Sequence, residues 1–143
     1  MSEAESTKRA YTFRFEPPDL VILSIVGVLD EAEATALTRE LSRHVRHLPR
    51  YFARADFSRS ESITAEGRRA AAKEVQGLRL QAGAIIGASF HFRALTMLVV
   101  TASRVLSRRP LPTIRFFDTE GEADRWLLEQ RALAPSEADR SRE

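Results

Sequence analysis

The run LVILSIVGV, from Leu20 to Val28, constrains the fold of this chain more than any other stretch. It is almost continuously apolar, rich in β-branched residues, and far too short to cross a bilayer. A half-wet strand would alternate, and only Ser24 interrupts this run. The pattern is that of a central strand covered on both faces. Asp30 follows at once and is placed to open a helix, with Glu31 and Glu33 in a first turn where the macrodipole favours carboxylates. Ala34, Leu37, Leu41, Val45 and Leu48 recur at helical spacing as its buried stripe, and Arg39, Arg43, Arg46 and Arg50 fall mostly on the other side.

Around this unit the remaining elements can be placed. Tyr11 to Phe15 (YTFRF) alternates like a strand with one wet face, and Pro17-Pro18-Asp19 turns the chain into the apolar run. Tyr51 to Phe57 reads as a further strand, with a loop after it. Helical periodicity returns after Thr64, with Ala71, Ala72, Val75 and Leu78 facing inward. Leu80 to Ala88 (LQAGAIIGA) is another buried strand. Ser89 is placed to cap an apolar helix from about Phe90 to Leu106, stopped by Pro110 and Pro112. Thr113 to Phe117 is a last strand. Thr119-Glu120-Gly121-Glu122 is a capping-box pattern opening a helix that buries Ala123, Trp126 and Leu127. The expected fold is α/β, with a mixed and mainly parallel sheet opened by a β-hairpin and layered with about four helices. A single domain over residues 10–134 is flanked by a polar segment, 1–9, and a polar tail, 135–143.

The chemistry excluded is broad. There is no cysteine, so disulfides, thiolate metal sites and cysteine nucleophiles are absent. The opening MSEAESTKRA has no apolar centre of the kind a secretory signal needs, and the expected location is the cytoplasm without stable membrane insertion. Net charge is only +2, with Lys8 and Lys73 the only lysines, so the arginine bias reads as genome composition rather than nucleic-acid binding. Between Arg39 and Arg69, eight arginines and two histidines face Glu40, Asp56, Glu61 and Glu66, a patch able to attract an acidic protein face. His44 and His47 stand at i, i+3, but no HExxH pattern accompanies them, and no metal or cofactor is expected. Asp56 and Asp118 lie at expected strand ends, where Asp56 supports the following loop and Asp118 helps to cap the last helix. Gly83 to Gly87 lacks the Lys-Ser/Thr ending of a phosphate loop. No serine–histidine–acid arrangement can be read from the spacing, and the chain is not expected to be an enzyme.

The segments LVILSIVGVLD, ADFS and FFDTEGEADRWL, in this order, resemble the STAS domain superfamily, the fold of bacterial anti-sigma-factor antagonists. The nearer likeness is to divergent bacterial STAS-like members, which overlap with the CRAL-TRIO lipid-binding group. The resemblance covers roughly Ala10 to Ala132. In such antagonists a strand ending Asp-Leu-Ser leads to a loop ending Asp-Ser-Ser-Gly, whose first serine accepts phosphate from a partner kinase. With Asp56-Phe57-Ser58 on the strand end, Gly67 falls on that glycine, Thr64 on the aspartate, Ala65 on the acceptor and Glu66 on the next serine. The acceptor is therefore missing, and the family's phosphoserine switch is not expected here. A lone carboxylate at Glu66 lacks the charge and acceptor count of phosphoserine.

Two roles follow from these readings. The first is a non-enzymatic interaction module in bacterial signalling, binding a regulatory kinase or sigma-factor regulator through Ser58, Ser60, Ser62, Thr64, Glu66, Arg68 and Arg69, with Ser62 and Thr64 as the remaining candidate phosphorylation positions. The favoured reading of Thr64 is an N-cap, and of the serines, solvated loop residues. The second role, as the alternative, is a carrier or sensor of a small hydrophobic ligand or lipid. Its wall would be the apolar helix carrying Phe90, Phe92, Leu95 and Val99, although burial of that helix on two sides within its own domain and a homodimer surface are the readings placed equally ahead of a ligand wall.

Overall fold

The computed structural model describes residues 9–107 and 112–133, with the side chains of 95, 99 and 102–107 outside the description. The expected stop at Pro110, residues 1–8 of the first polar segment and the polar tail also lie outside the described residues. Within them are five strands and four helices: β1 (Tyr11–Glu16), β2 (Leu20–Leu29), α1 (Glu31–Val45), β3 (Tyr51–Ile63), α2 (Ala65–Glu74), β4 (Leu80–Ile86), α3 (Phe90–Ser107), β5 (Thr113–Phe117) and α4 (Glu120–Leu133).

The strands form one sheet in the order β1-β2-β3-β4-β5. β1 runs antiparallel to β2, from Tyr11 opposite Ile25 to Glu16 opposite Leu20. The other neighbours are all parallel. Strands laid down side by side in chain order, with crossovers of one hand, place the connecting helices on one face. That face holds Ala34 and Leu37 of α1, Ala70 and Ala71 of α2 and Phe92 of α3, over Ile25, Ala55, Phe57 and Ile85. Toward the other end of the strands, Leu41 and Val45 cover Val21 and Tyr51. α4 follows the last described strand, so no crossover holds it there. It packs on the opposite face, where Ala123, Trp126 and Leu127 meet Phe52, Ala82, Ala84 and Ile86. The small Ala82 and Ala84 let the helix lie close to the sheet, and Trp126 rests against Phe117, with ring centroids 5.6 Å apart.

Two expectations need correction. β2 is covered on both faces only in part. Val21, Ile25 and Leu29 are buried beneath α1, whereas on the α4 side Ile22 and Val26 are half-buried and Val28 is 45% exposed. α4 lies over the β3–β5 half of the sheet and leaves this part of β2 open. β3 also continues to Ile63, well past the expected end at Phe57.

Hydrogen bonds fix the helices to the sheet. The Glu33 backbone N–H donates to Asp30 Oδ1 at 2.9 Å, the expected cap of α1. The Glu33 carboxylate accepts from the Ala10 N–H at 2.6 Å and from Arg9 at 2.8 Å, which ties the start of β1 to α1. On the other face Arg54 of β3, largely buried, donates to Asp124 of α4 at 2.6 Å and lies 3.4 Å from Glu120. Arg131 near the end of α4 donates to Asp19 in the β1–β2 turn at 2.6 Å. These pairs connect the two ends of α4 to β3 and to the β1–β2 turn. Removing one partner of such a pair would leave a poorly solvated charge behind.

The two tyrosines give the fold a pH signature. Burial pushes the Tyr51 phenol well above its ordinary value, and burial, with the Glu40 carboxylate beside it, raises Tyr11 as well. Both neutral phenols therefore stabilise the fold fully below the unfolded value of about 10, and that contribution is lost as pH rises through the folded values. Stability measured by urea unfolding is expected to fall steeply above about pH 10, with Tyr51 ionising, by absorbance at 295 nm, only as the chain unfolds. Tyr51→Phe should flatten the fall. An equally steep decline in that variant would show that Tyr51 does not govern it.

Candidate functional site

At the carboxyl ends of the parallel strands the sheet is uneven. The ladder between β3 and β4 stops at Asp56 opposite Ile86. β3 then continues with β2 alone, from Arg59 opposite Val26 to Ile63 opposite Leu29. Register shifts between Ser24 and Val26, and again between Gly27 and Val28, accompany this extension, and Gly27 takes a positive φ of 77°. Bulges of this kind increase local twist and carry a strand end away from the main sheet. The expected loop is thus a two-stranded ribbon. Ser58, Arg59 and Glu61 are exposed on it, Ser60 and Ser62 half-buried, and Ile63 returns to the core.

The base of the ribbon is built by Asp56 and Gly87. The Ser58 N–H donates to Asp56 Oδ1 at 2.8 Å, so Asp56 supports the segment after it. Gly87, at φ +68°, lies directly against Ser58, where an added Cβ would fall 2.7 Å from the serine Cβ. The glycines of the 83–87 stretch thus serve close packing. Ser60 is no solvated loop residue, because its hydroxyl is buried without a hydrogen-bond partner among the described residues.

At the top, Thr64 caps α2: its hydroxyl accepts the Gly67 N–H at 2.9 Å, and its own N–H donates to the Leu29 carbonyl at 3.1 Å. Gly67 is held to glycine by the close approach of α2 to the β2–α1 junction, since a Cβ there would sit 2.6 Å from the Leu29 carbonyl oxygen. Ala65 presents no hydroxyl in the first turn. Glu66 is exposed and lies 3.5 Å from Arg69. Arg68 folds back to donate to the Ile63 carbonyl at 3.0 Å, which leaves Arg69 as the more open of the two guanidiniums. The predicted site residues therefore belong to one continuous segment, the ribbon end and first turn of α2. Of these, the Thr64 hydroxyl and the Arg68 guanidinium are engaged by the backbone around them.

The apolar helix divides differently from expectation. The Phe92 N–H donates to the Ser89 hydroxyl at 3.3 Å, confirming the cap. Phe90 is 88% exposed, but Phe92 is only 5% exposed and sits edge-on to Phe57, with centroids 5.8 Å apart. Phe92 is a core residue and offers nothing to an outer surface. The side chains of Leu95 and Val99 lie outside the described residues. His44 is occupied structurally, its Nδ1 3.0 Å from the Glu40 carbonyl oxygen and its ring beside Phe13 and Phe15. No group of three metal-ligating side chains occurs among the described residues. Thr119, rather than Asp118, caps α4 by accepting the Glu122 N–H at 3.2 Å. Its hydroxyl donates to the Glu122 carboxylate at 3.0 Å, a variant of the expected capping box.

A feature that the sequence did not reveal is a groove of about 430 Å³ between α4 and the open half of the sheet. Leu20 and Ile22 of β2 form its floor and Leu127 and Leu128 of α4 its wall, with Arg54 and Asp124 across one end. It lies on the face of the sheet opposite α3.

No family model matches the sequence, and no curated protein sequence does. Solved structures do. An uncharacterized protein of the DUF3478 family from Shewanella loihica PV-4, described as having a SpoIIAA-like fold, is similar with a TM-score of 0.59 and 20% identity, over 82% of this chain and 92% of that one. The anti-sigma factor antagonist SpoIIAA in its unphosphorylated form is similar with a TM-score of 0.55 and 13% identity, over 83% of this chain and 98% of that one. The fold is SpoIIAA-like. This agrees with the STAS resemblance carried by LVILSIVGVLD, ADFS and FFDTEGEADRWL, and with a mixed sheet opened by an antiparallel pair. No described helix of this SpoIIAA-like chain is long and apolar enough to cross a membrane.

The junction gives a direct test. Thr64→Ala should lower stability by about 1 kcal/mol through loss of the cap, and Thr64→Ser should restore most of it. Gly67→Ala should cost about 1–3 kcal/mol, because the methyl group forces the helix and the Leu29 carbonyl apart. Urea midpoints at constant m-value measure both, and a neutral Gly67→Ala would contradict the close approach.

Proposed function

We propose that this chain is a non-enzymatic STAS-like module of bacterial regulation that binds another protein through the ribbon end of β3 and the first turn of α2. The observation that carries the reading is the extension of β3 beyond β4, which raises a short ribbon above the sheet with exposed charge on it. Arg59 and Arg69 are the accessible cations of this surface, suited to an acidic patch on a regulatory kinase or a sigma-factor regulator. The solved structure of SpoIIAA, an anti-sigma factor antagonist of the same fold, supports that class of partner.

The family's phosphoserine switch has no place in this reading. The position that aligns with the acceptor is Ala65, and the nearby Thr64 hydroxyl already accepts the Gly67 N–H. Phosphate on Thr64 would have to displace that cap. Ser62 remains the hydroxyl to examine. A cytoplasmic location is part of the same proposal. The groove offers no support to a hydrophobic carrier built on α3, because it opens on the other face of the sheet.

The test is an affinity capture from the native cell with the whole chain as bait, run beside the Arg59→Glu, Arg69→Glu double variant. A stoichiometric regulatory kinase or sigma-regulator protein should be retained by the wild type and lost, at least tenfold, by the variant. Retention undiminished by both charge reversals would remove this surface from the interaction. Phosphate mapped to Thr64 in the native protein would reverse the assignment of its hydroxyl as a structural cap.

A further inference from the structure

We propose that the outer face of α3 rests on a membrane surface of anionic lipid, in a reversible peripheral contact separate from the ribbon. A helix that only packs on its own sheet needs one apolar stripe. α3 has its inward residue in Phe92, edge-on to Phe57, yet Phe90 is 88% exposed, Leu98 57% and Met97 39%. Ala94 and Thr101 are exposed as well. At about 3.6 residues per turn these five residues fall on one side of the helix, so they form a continuous strip rather than scattered positions. Of the five, only Thr101 carries a hydrogen-bonding side chain. A protein partner is held in register by about one hydrogen bond per 100–200 Å² of interface, whereas the acyl boundary of a bilayer asks for apolar area alone.

The charge beside the strip selects the occupant. Between Glu74 and Asp118 the sequence holds six arginines and one histidine, and all 20 acidic residues lie outside that stretch. His91 and Arg93 are exposed in the first turn of α3. Arg93 lies over the Phe116 ring, 5.1 Å from its centroid, and donates from Nε to the Ala88 carbonyl at 3.3 Å. No carboxylate pairs with it among the described residues. Arg104 belongs to the same helix about three turns further on, and Arg108 and Arg109 follow in the sequence. Cations beside an apolar strip, with no acid among them, match a layer that is anionic at its headgroups and apolar beneath. A second copy of the chain is a poorer occupant, because pairing two such faces sets arginine against arginine with no carboxylate between them. No described helix can cross a bilayer, so the contact is at headgroup depth, with Phe90 and Leu98 entering the acyl boundary.

The test is co-sedimentation of the full chain with vesicles of phosphatidylglycerol and phosphatidylcholine in equal parts, beside vesicles of phosphatidylcholine alone. The wild type should pellet with the first and stay in solution with the second, and raised salt should weaken the binding. The Phe90→Ser, Leu98→Ser double variant should bind at least about tenfold more weakly, and Arg93→Glu should also lose about tenfold. Both should keep the wild-type circular dichroism, since the positions are exposed. Leu128→Ser, an exposed leucine on the other face of the molecule, is the control and should bind as the wild type does. A wild type that ignores the anionic vesicles would overturn the proposal, as would binding undiminished in the double variant or lost equally in Leu128→Ser. Self-association abolished by the double variant, in place of vesicle binding, would give the face to a second copy. A protein retained from a membrane-free extract only while Phe90 and Leu98 are intact, with no vesicle binding, would give it to a protein partner, and either result would overturn the lipid assignment.

Discussion

The backbone of β2 is hydrogen-bonded on both edges, antiparallel to β1 and parallel to β3, and the other layers take their positions from that pairing. A parallel strand cannot be paired through a tight turn, so its contacts close long loops and depend on apolar burial to offset the entropy. In β2 that burial comes from Val21, Ile25 and Leu29, which α1 covers. Once β2 and α1 are joined, the same handed crossover repeated through β3, β4 and β5 leaves little choice about where α2 and α3 lie. α4 alone is held by side chains rather than by topology. Its anchors, Trp126 in the apolar seam and Arg54 beneath Asp124, come from opposite ends of the sequence-to-structure problem: one is a hydrophobic contact, the other a partly buried ion pair.

The caps explain why a surface forms at one end of the sheet. Asp30, Thr64, Ser89 and Thr119 each stand between a strand's carboxyl end and a helix, and each uses its side-chain oxygen to accept a backbone N–H of the helix that follows. One backbone N–H at each helix start that would otherwise be free is thereby occupied. What remains exposed there is side-chain charge on the ribbon and on the first turn of α2.

Much of this was legible in the sequence because local chemistry and fold agree. Alternation marked β1, polar residues before apolar stripes marked the caps, and the apolar run from Leu80 to Ala88 marked a buried strand. Two features were hidden for a physical reason. The segment SRSES has the composition of a loop, and it becomes strand only because the β2 edge beside it is unpaired and a bulge brings it into register. The open face of β2 was read as covered because apolar content reports what a surface prefers, not which element supplies the cover. The groove likewise joins Leu20 and Ile22 to Leu127 and Leu128, residues separated by most of the chain, and no short-range pattern connects them.

The seating of α4 has an optical consequence. Trp126 is the chain's single tryptophan, and its indole lies in the seam between α4 and the sheet, beside Phe117. Tryptophan emission from this protein therefore comes from one helix–sheet contact. If α4 lifts from the sheet, the emission shifts to the red while β1, β2 and the three helices of the other face contribute no signal of their own. An event at the ribbon that leaves α4 seated will be dark to the same probe, so the two faces of the molecule can be told apart with unmodified protein in a cuvette.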